Sequence, residues 1–290
     1  GKYIKPDNGL IDLIIEAGKE ENSSKPYFLI LDEMNLSHVE RYFADFLSTM
    51  ESDERLMLRP EDLEWKDDVP PSVSLPPNLF IVGTVNVDET TYMFSPKVLD
   101  RANVIEFKAS EEDMGEFLEE NPRNPDMKRL KGAGSHMGSD FVGNAIAEYT
   151  GFAGSEELRA ILMKFFRHLQ VAGAEFGYRT ASEIFRFAAI LTMFINETEE
   201  TTPIDDIADA AVVQKLLPKL HGSRRKLEPV LETLAELCLS EGIDVATYLN
   251  TTNAIDFSDR EKIRFPISME KILRMHKRVI QDGFTSFAEA

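Results

Sequence analysis

The feature that most constrains the fold is a short apolar run that ends in two acids. Residues 27–35 read YFLILDEMN, so five apolar residues lead directly to Asp32 and Glu33. Such a run predicts a parallel β-strand that is buried on both faces and presents its carboxylates at the carboxyl edge of a sheet, where ligands bind. There one acid can hold a hydrated Mg²⁺ beside nucleotide phosphates while the next polarises the attacking water. The same letters also fit a strand followed by a simple acidic turn.

A second apolar run repeats this arrangement and ends on an amide. Residues 79–85 read LFIVGTV and lead to Asn86. They predict a parallel neighbour of the first strand, again buried on both faces. The amide can orient a water between the acids and a γ-phosphate, although a strand followed by Asn is by itself only a turn signal.

Short elements follow the second run. Ser95 and Pro96 suit the N-cap and first turn of a short helix, which we expect to end near Asp100 and Arg101. Residues 104–107 (VIEF) predict a third short strand. The usual fate of an arginine such as Arg101 is a surface ion pair, here with Asp100.

Helices dominate after residue 140. Apolar spacing predicts helices over residues 156–171, 208–217, 227–239 and 267–280. A capping box at residues 180–183 (TASE) predicts another helix and places Arg179 immediately before its N-terminus. A cation is unusual there because that end of a helix carries positive partial charge. Arg179 is therefore either a solvent-facing side chain or an arginine turned toward bound phosphates.

Charge and composition exclude several classes. The net charge of −19 argues against a general polyanion binder, because phosphate contacts need clustered Lys and Arg. The one basic cluster, within residues 215–226, is expected to be a solvated helix end and turn, with a contact to nucleotide, DNA or another subunit as the alternative. The longest apolar run, residues 187–195, is far shorter than the roughly 20 residues of a bilayer span, and no signal peptide is recognisable, so we expect a cytoplasmic chain. The single cysteine, Cys238, is expected to be a buried core thiol.

Two observations concern the organisation of the chain. No residues fit the G-x-x-x-x-G-K-[ST] phosphate loop, so a P-loop enzyme would carry its first strand and phosphate loop upstream of residue 1, and this chain would be a fragment. Residues 132–139 (GAGSHMGS) fit a linker between domains. They also resemble the remnant of a cleaved purification tag, so a natural loop and an engineered junction both stand as interpretations.

Four motifs, in this order, resemble Walker B, sensor 1, the arginine finger and sensor 2 of an AAA+ NTPase. They are residues 29–35 (LILDEMN), 83–86 (GTVN), 98–101 (VLDR) and 177–179 (GYR). The stretches 86–107 and 214–225 are similar to bacterial McrB-type sequences, the NTP-driven motor subunits of modification-dependent restriction systems.

The resemblance implies an α/β fold: a P-loop NTPase (AAA+) parallel-sheet core, N-terminally incomplete, followed by an α-helical lid domain. The implied domains are residues 1–108 for the partial core, 109–143 for an acidic helix and Gly/Ser linker, and 144–290 for the α-helical lid and C-terminal helices.

The resemblance also implies roles for single residues. Asp32 would hold Mg²⁺ through water, and Glu33 would act as catalytic base. Asn86 would position the nucleophilic water, Arg101 would reach a neighbouring subunit's γ-phosphate, and Arg179 would sense nucleotide from the lid. The implied assembly is a homo-oligomer, a hexameric ring that hydrolyses GTP or ATP with Mg²⁺. It would drive an McrC-like nuclease subunit, with DNA bound through other domains and no membrane contact.

Two departures from the family pattern keep alternatives open. The phosphate loop is absent, and the family's M-N-x-x-D element appears here as VNVDE at residues 85–89, which leaves ATP as well as GTP open. A MoxR-type AAA+ chaperone shares the same catalytic logic. A non-catalytic assembly module is the third alternative, because a chain without a phosphate loop has no cradle for the β- and γ-phosphates.

Overall fold

Two compact units make up the chain. The computed structural model describes residues 9–52, 54–58, 70–86, 93–119, 128, 131–148, 151–171, 173–197, 203–251 and 254–290. The first unit comprises Gly1–Met34, Val39–Val85 and Ile105–Ala147, and the second comprises Asn35–His38, Asn86–Val104 and Glu148–Ala290. This division differs from the predicted one, because residues 86–104 group with the second unit and residues 109–143 group with the first.

Helices outnumber strands in the described residues. The helices are α1 (Leu10–Ala17), α2 (Val39–Tyr42), α3 (Ala44–Ser52), α4 (Pro96–Leu99), α5 (Glu111–Glu119), α6 (Gly138–Ile146), α7 (Ser155–Val171), α8 (Tyr178–Glu197), α9 (Ile204–Ala211), α10 (Arg224–Leu237), α11 (Ala246–Leu249) and α12 (Pro266–Asp282). The strands are β1 (Tyr27–Leu31), β2 (Leu56–Met57), β3 (Ser72–Val73), β4 (Leu79–Gly83), β5 (His221–Ser223) and β6 (Phe284–Ser286). The helices predicted over 156–171, 227–239 and 267–280 are thus confirmed as α7, α10 and α12.

The first unit is built on the predicted pair of parallel strands. β1 and β4 pair in parallel, with Tyr27 opposite Leu79 and Leu31 opposite Gly83. Helix α1 packs against β1 and buries Ile14 and Ala17. β2 and β3, which lie between β1 and β4 in the sequence, form a small antiparallel pair of their own. The two apolar runs therefore end at the same edge, as the sequence predicts.

The expectation that both strands are buried on both faces is wrong for the described residues. Alternate side chains of β1 are exposed, and Ile30 has 64% of its surface open to solvent. One face carries Phe28 and Phe80, whose rings lie 5.5 Å apart, and Phe141 of α6 lies 4.8 Å from Phe80. Within the described residues this sheet has two strands, so the apolar faces are only partly covered.

The predicted third strand at residues 104–107 is also wrong. These residues form no strand, and Phe107 is 94% exposed. The reason is that Val104 donates its backbone N–H to the Gln214 carbonyl oxygen at 3.1 Å. Val104 therefore belongs to the helical unit, whereas residues 105–107 group with the first unit without joining β1 and β4.

The second unit is a helical assembly with one continuous apolar core. Its fully or nearly buried side chains come from α7 to α12, for example Phe165, Leu231 and Met269. Helices α10 and α12 pack closely together, and β5 and β6 form an antiparallel pair at their ends. Cys238 lies in this core as a free thiol, and burial raises its pKa well above the ordinary value. The prediction of a buried core thiol is confirmed.

Helix α9 changes its winding before it ends. It continues into a π-helical segment at Val212–Leu216 and then a 3₁₀ turn at Leu217–Lys219. Such segments are uncommon and occur often where function demands a particular side-chain position. Among the described residues, no helix combines the length and apolar character that crossing a membrane requires.

Helix α12 is capped by a side chain from another helix. Asp209 of α9 is buried and accepts hydrogen bonds from the backbone N–H groups of Ile267 and Ser268, each at 2.8 Å. These groups belong to the first turn of α12, whose N–H groups have no partner within the helix. Burial raises the pKa of Asp209, and the hydrogen bonds from Ser268 and Ile267 partly offset that effect.

Helix α8 begins earlier than the predicted capping box. It starts at Tyr178, so Arg179 lies inside the first turn and does not precede the helix. Thr180 is therefore not the N-cap. Its buried hydroxyl accepts a hydrogen bond from Lys219 Nζ at 2.9 Å, which gives this side chain a tertiary partner instead.

Candidate functional site

The two acids after β1 are held by a threonine after β4. The Thr84 hydroxyl donates to Asp32 Oδ1 at 2.5 Å, and Thr84 Oγ1 accepts a hydrogen bond from the Glu33 N–H at 2.8 Å. Backbone bonds from Thr84 N–H to the Leu31 carbonyl and from Met34 N–H to the Thr84 carbonyl, both 3.0 Å, extend the pairing past the strands. The acids thus sit on a fixed turn at the carboxyl edge of the sheet.

Glu33 occupies an unusual backbone conformation. Its φ is +49°, the one positive value recorded for a non-glycine residue in the described ranges. This left-handed region costs an L-residue roughly 1–2 kcal/mol. Strain of this kind persists where the surroundings hold it and is concentrated at functional sites. The turn reverses the chain directly after Asp32 and leaves Glu33 half-buried while Asp32 is exposed.

Gly83 allows the chain after the acids to cross the end of β4. A Cβ at Gly83 would collide with the sulfur of Met34. The Met34 side chain therefore lies over the backbone of β4, and its carbonyl accepts a hydrogen bond from the Tyr42 hydroxyl at 3.1 Å. A larger residue at position 83 would therefore require the Met34 side chain to move.

Asn86, the predicted water-positioning residue, belongs to the second unit. Its backbone carbonyl accepts a hydrogen bond from Asn35 Nδ2 at 3.1 Å. Asn35 is buried, and its Oδ1 has no hydrogen-bond partner among the described residues. Asn35 therefore fixes the backbone after β4. Residues 87–89 of the VNVDE element lie outside the described part of the chain.

Arg101 lies at the end of α4, as predicted. Its Nη1 donates to the Lys97 carbonyl oxygen at 2.6 Å, which holds the guanidinium near the helix C-terminus. The expected surface pair with Asp100 is replaced, because the Asp100 carboxylate accepts from Lys219 Nζ at 2.5 Å.

Lys219 joins the two segments that carry the predicted arginines. Its ammonium contacts both Asp100, which precedes Arg101, and Thr180, which follows Arg179. The arginine-finger and sensor 2 candidates are therefore attached to one anchoring lysine in the second unit. The acids Asp32 and Glu33 lie in the first unit.

The basic cluster of residues 215–226 is not uniformly a solvated helix end. Arg224, Arg225 and Lys226 are exposed, but Lys215 is only 2% exposed and lies in the π-helical segment. Its Nζ has no hydrogen-bond partner in the described ranges. Burial lowers the pKa of Lys215, and the charge of Glu183 partly offsets this shift. The prediction that this cluster is solvated is therefore wrong for Lys215.

Thr84, Asn35 and Lys219 were missed as functional candidates by sequence reasoning. Thr84 and Asn35 stand inside the quoted motifs, so their positions offered a signal, but their hydrogen bonds span 51 residues or more of sequence. Lys219 reaches 119 residues back to Asp100. Such pairings are fixed by the tertiary structure and not by local pattern.

Comparison with known proteins locates the helical part in a family. Residues 133–284 match a family described as a domain of unknown function (DUF8727). The chain belongs to this family. No curated protein and no solved structure matches the chain. The DUF8727 region contains Arg179, Lys215 and Lys219, whereas Asp32, Glu33, Asn86 and Arg101 lie before it.

Proposed function

We propose that this DUF8727 chain provides the acidic catalytic edge and the α-helical lid of an AAA+ NTPase similar to the McrB-like motor subunits. The enzyme hydrolyses GTP or ATP with Mg²⁺ as a homo-oligomeric ring and drives a nuclease partner on DNA. The proposal requires a phosphate loop that these 290 residues do not contain. The observation that carries the proposal is the pair Asp32 and Glu33 at the carboxyl end of parallel β1, held by Thr84 of the adjacent segment.

The donor groups at this edge fit a hydrated magnesium ion. Mg²⁺ prefers oxygen ligands and keeps several of its waters. Asp32 is exposed and uses only Oδ1 to accept the Thr84 hydroxyl, so Oδ2 is oriented by the same bond. When bound, the ion would neutralise the charge that develops on the phosphates. Asp32 holds the water shell of the ion, and Thr84 fixes the carboxylate that does so.

Glu33 is the base in this proposal. Its backbone is held by the N–H donated to Thr84 and by the left-handed turn, which fixes the point from which the side chain extends. A base must lie within hydrogen-bond reach of the proton it takes, and a held backbone limits how far the side chain can move from that place. Asn86 orients the attacking water, with its backbone fixed by Asn35.

Two arginines complete the proposed site. Arg101 completes the active site of a neighbouring subunit, and Arg179 responds to the phosphates bound by its own. Lys219 supports this arrangement, because it ties the segment before Arg101 to the segment after Arg179.

The proposal is tested by replacing Glu33 in the natural protein. Glu33→Gln keeps the size of the side chain but removes the base, so turnover should fall roughly 10²- to 10⁴-fold while nucleotide binding is retained. Hydrolysis is measured by phosphate release with GTP and with ATP, and binding by calorimetry. Glu21→Gln, an exposed acid of the same unit, is the matched control and should leave both unchanged. Parental turnover in Glu33→Gln would refute the assignment.

A further inference from the structure

Three metal-ligand side chains from two helices converge at the α10–α12 interface. Glu228 and Glu232 lie four residues apart on α10, so their side chains share one face of the helix. His276 of α12 lies opposite them. One donor atom from each of the three residues lies within 4.8 Å of the others.

His276 supplies an independent indication that something binds here. Its side chain is 10% exposed, and Nε2 has no hydrogen-bond partner among the described residues. The nearest carboxylate oxygen, Glu232 Oε1, is 3.8 Å away, which is too long for a hydrogen bond. Leaving a buried polar nitrogen without a partner is unfavourable. A ligand between Nε2 and the two carboxylates would remove that cost.

We propose that Glu228, Glu232 and His276 bind a first-row divalent cation of the zinc type, with solvent completing the coordination. An imidazole nitrogen together with carboxylate oxygens suits Zn²⁺ and its neighbours and disfavours Mg²⁺ and Ca²⁺, which take oxygen ligands. Ligand bonds of about 2.1 Å place two donors of a tetrahedron roughly 3.4 Å apart. The observed 3.8 Å thus closes with a small rotation of Glu232, whose side chain is 48% exposed.

Arg224 both orients and restrains this site. Its Nε donates to Glu228 Oε2 at 2.8 Å and its Nη2 to Oε1 at 3.2 Å. These hydrogen bonds lower the pKa of Glu228, which keeps the carboxylate ionised. They also occupy both of its oxygens, and the guanidinium charge repels a cation. Removing the Arg224 charge should therefore strengthen metal binding.

The cation fastens α10 to α12 and is independent of nucleotide hydrolysis. The test begins with the chain stripped by a chelator and titrated with Zn²⁺ in a calorimeter. We expect one saturable equivalent. Glu232→Gln and His276→Gln should each weaken binding at least about tenfold, because each removes a direct ligand. Glu236→Gln, one turn further along the same helix and exposed, should bind like the parent.

Each outcome decides the proposal. Glu232 is largely exposed, so Glu232→Gln remains folded even if His276→Gln does not, and parental Zn²⁺ affinity in a folded Glu232→Gln would overturn the site. The absence of a saturable equivalent in the parent would do the same. Arg224→Gln should tighten Zn²⁺ binding severalfold, and unchanged affinity there would overturn the assignment of Glu228 as a ligand. Co²⁺ gives a second readout, since its visible absorption should change on binding and should be lost in His276→Gln.

Discussion

Among single residues, Lys215 is a cation whose burial is electrostatically unfavourable. It is buried in the π-helical segment, and its ammonium has no hydrogen-bond partner among the described residues. Asp100 and Thr180 are bound by the neighbouring Lys219 instead. A buried cation that lacks such a partner destabilises the folded state, and its retention is typical of a functional residue.

Replacing this cation with an apolar side chain should stabilise the chain. Lys215→Met keeps the length of the side chain, and exchanges of this kind raise the free energy of unfolding by about 1–3 kcal/mol. Chemical denaturation at pH 7 measures the change. Lys164→Met on the exposed face of α7 is the control and should have little effect. A loss of stability in Lys215→Met would mean that the ammonium has a stabilising partner.

The same substitution has a predicted pH dependence. Burial lowers the folded pKa of Lys215 below the ordinary 10.5. Between the folded and unfolded pKa values the unfolded chain holds a proton that the folded chain has released, so stability rises with pH in that window. At lower pH both states are protonated and the full penalty is present. Lys215→Met should therefore remove an alkaline rise in stability that the parent shows.

Among elements, α12 depends on a cap that lies outside its own sequence. Asp209 of α9 accepts the N–H groups of Ile267 and Ser268, and Ser268 Oγ donates to the Asp209 carbonyl at 3.2 Å. The first turn of α12 is thereby fastened to α9. The attachment of α12 to α9 therefore depends in part on one carboxylate.

Removal of this carboxylate should be among the costlier substitutions in the second unit. Asp209→Ala leaves the N–H groups of Ile267 and Ser268 without this acceptor, and that of Ser268 is buried, so the free energy of unfolding should fall by about 1–3 kcal/mol. Asp206→Ala on the same helix removes a partly exposed ion pair with Arg260 and should cost at most about 1 kcal/mol. Urea denaturation compares the two. Equal losses would show that Asp209 acts only as a surface charge.

The local sequence pattern predicted where helices and strands lie better than it predicted their tertiary hydrogen-bond partners. The apolar runs identified β1 and β4, and helical spacing identified α7, α10 and α12. Residues 104–107 are of types that favour strands, yet the Val104 N–H donates a hydrogen bond to the Gln214 carbonyl of the helical unit. Thr180 fits the sequence pattern of an N-cap, yet its hydroxyl accepts a hydrogen bond from Lys219. Asp32 and Glu33 were visible in sequence, whereas Thr84, which orients both, was not, because its role depends on parallel pairing.

The whole molecule combines a sparsely covered sheet with a densely packed helical unit. The continuous apolar core lies within α7 to β6 of the second unit. In the first unit, alternate residues of β1 and the exit of β4 are open to solvent. Regions with few buried apolar contacts open at lower free energy than a packed core.

Hydrogen exchange should reveal this difference directly. Backbone amides of α10 and α12 should exchange about 100-fold or more slowly than those of β1, because core amides require global opening. Mass spectrometry of peptides from one sample compares both regions under identical conditions. Peptides from α5, an element with no buried side chain, provide the fast reference. Slower exchange in β1 than in α12 would contradict the assignment of the stable core.

Cys238 gives the second unit a reporter of its own opening. It is the only cysteine in the sequence, has no exposed surface, and accepts at its carbonyl the N–H groups of Arg264 and Phe265 just before α12. A thiol-specific dye reacts with it only when the surrounding helices separate, so the rate of labelling counts opening events. The dye does not label the folded protein, because its single thiol is buried. A single cysteine introduced elsewhere would thus be labelled alone, without prior removal of the native thiol.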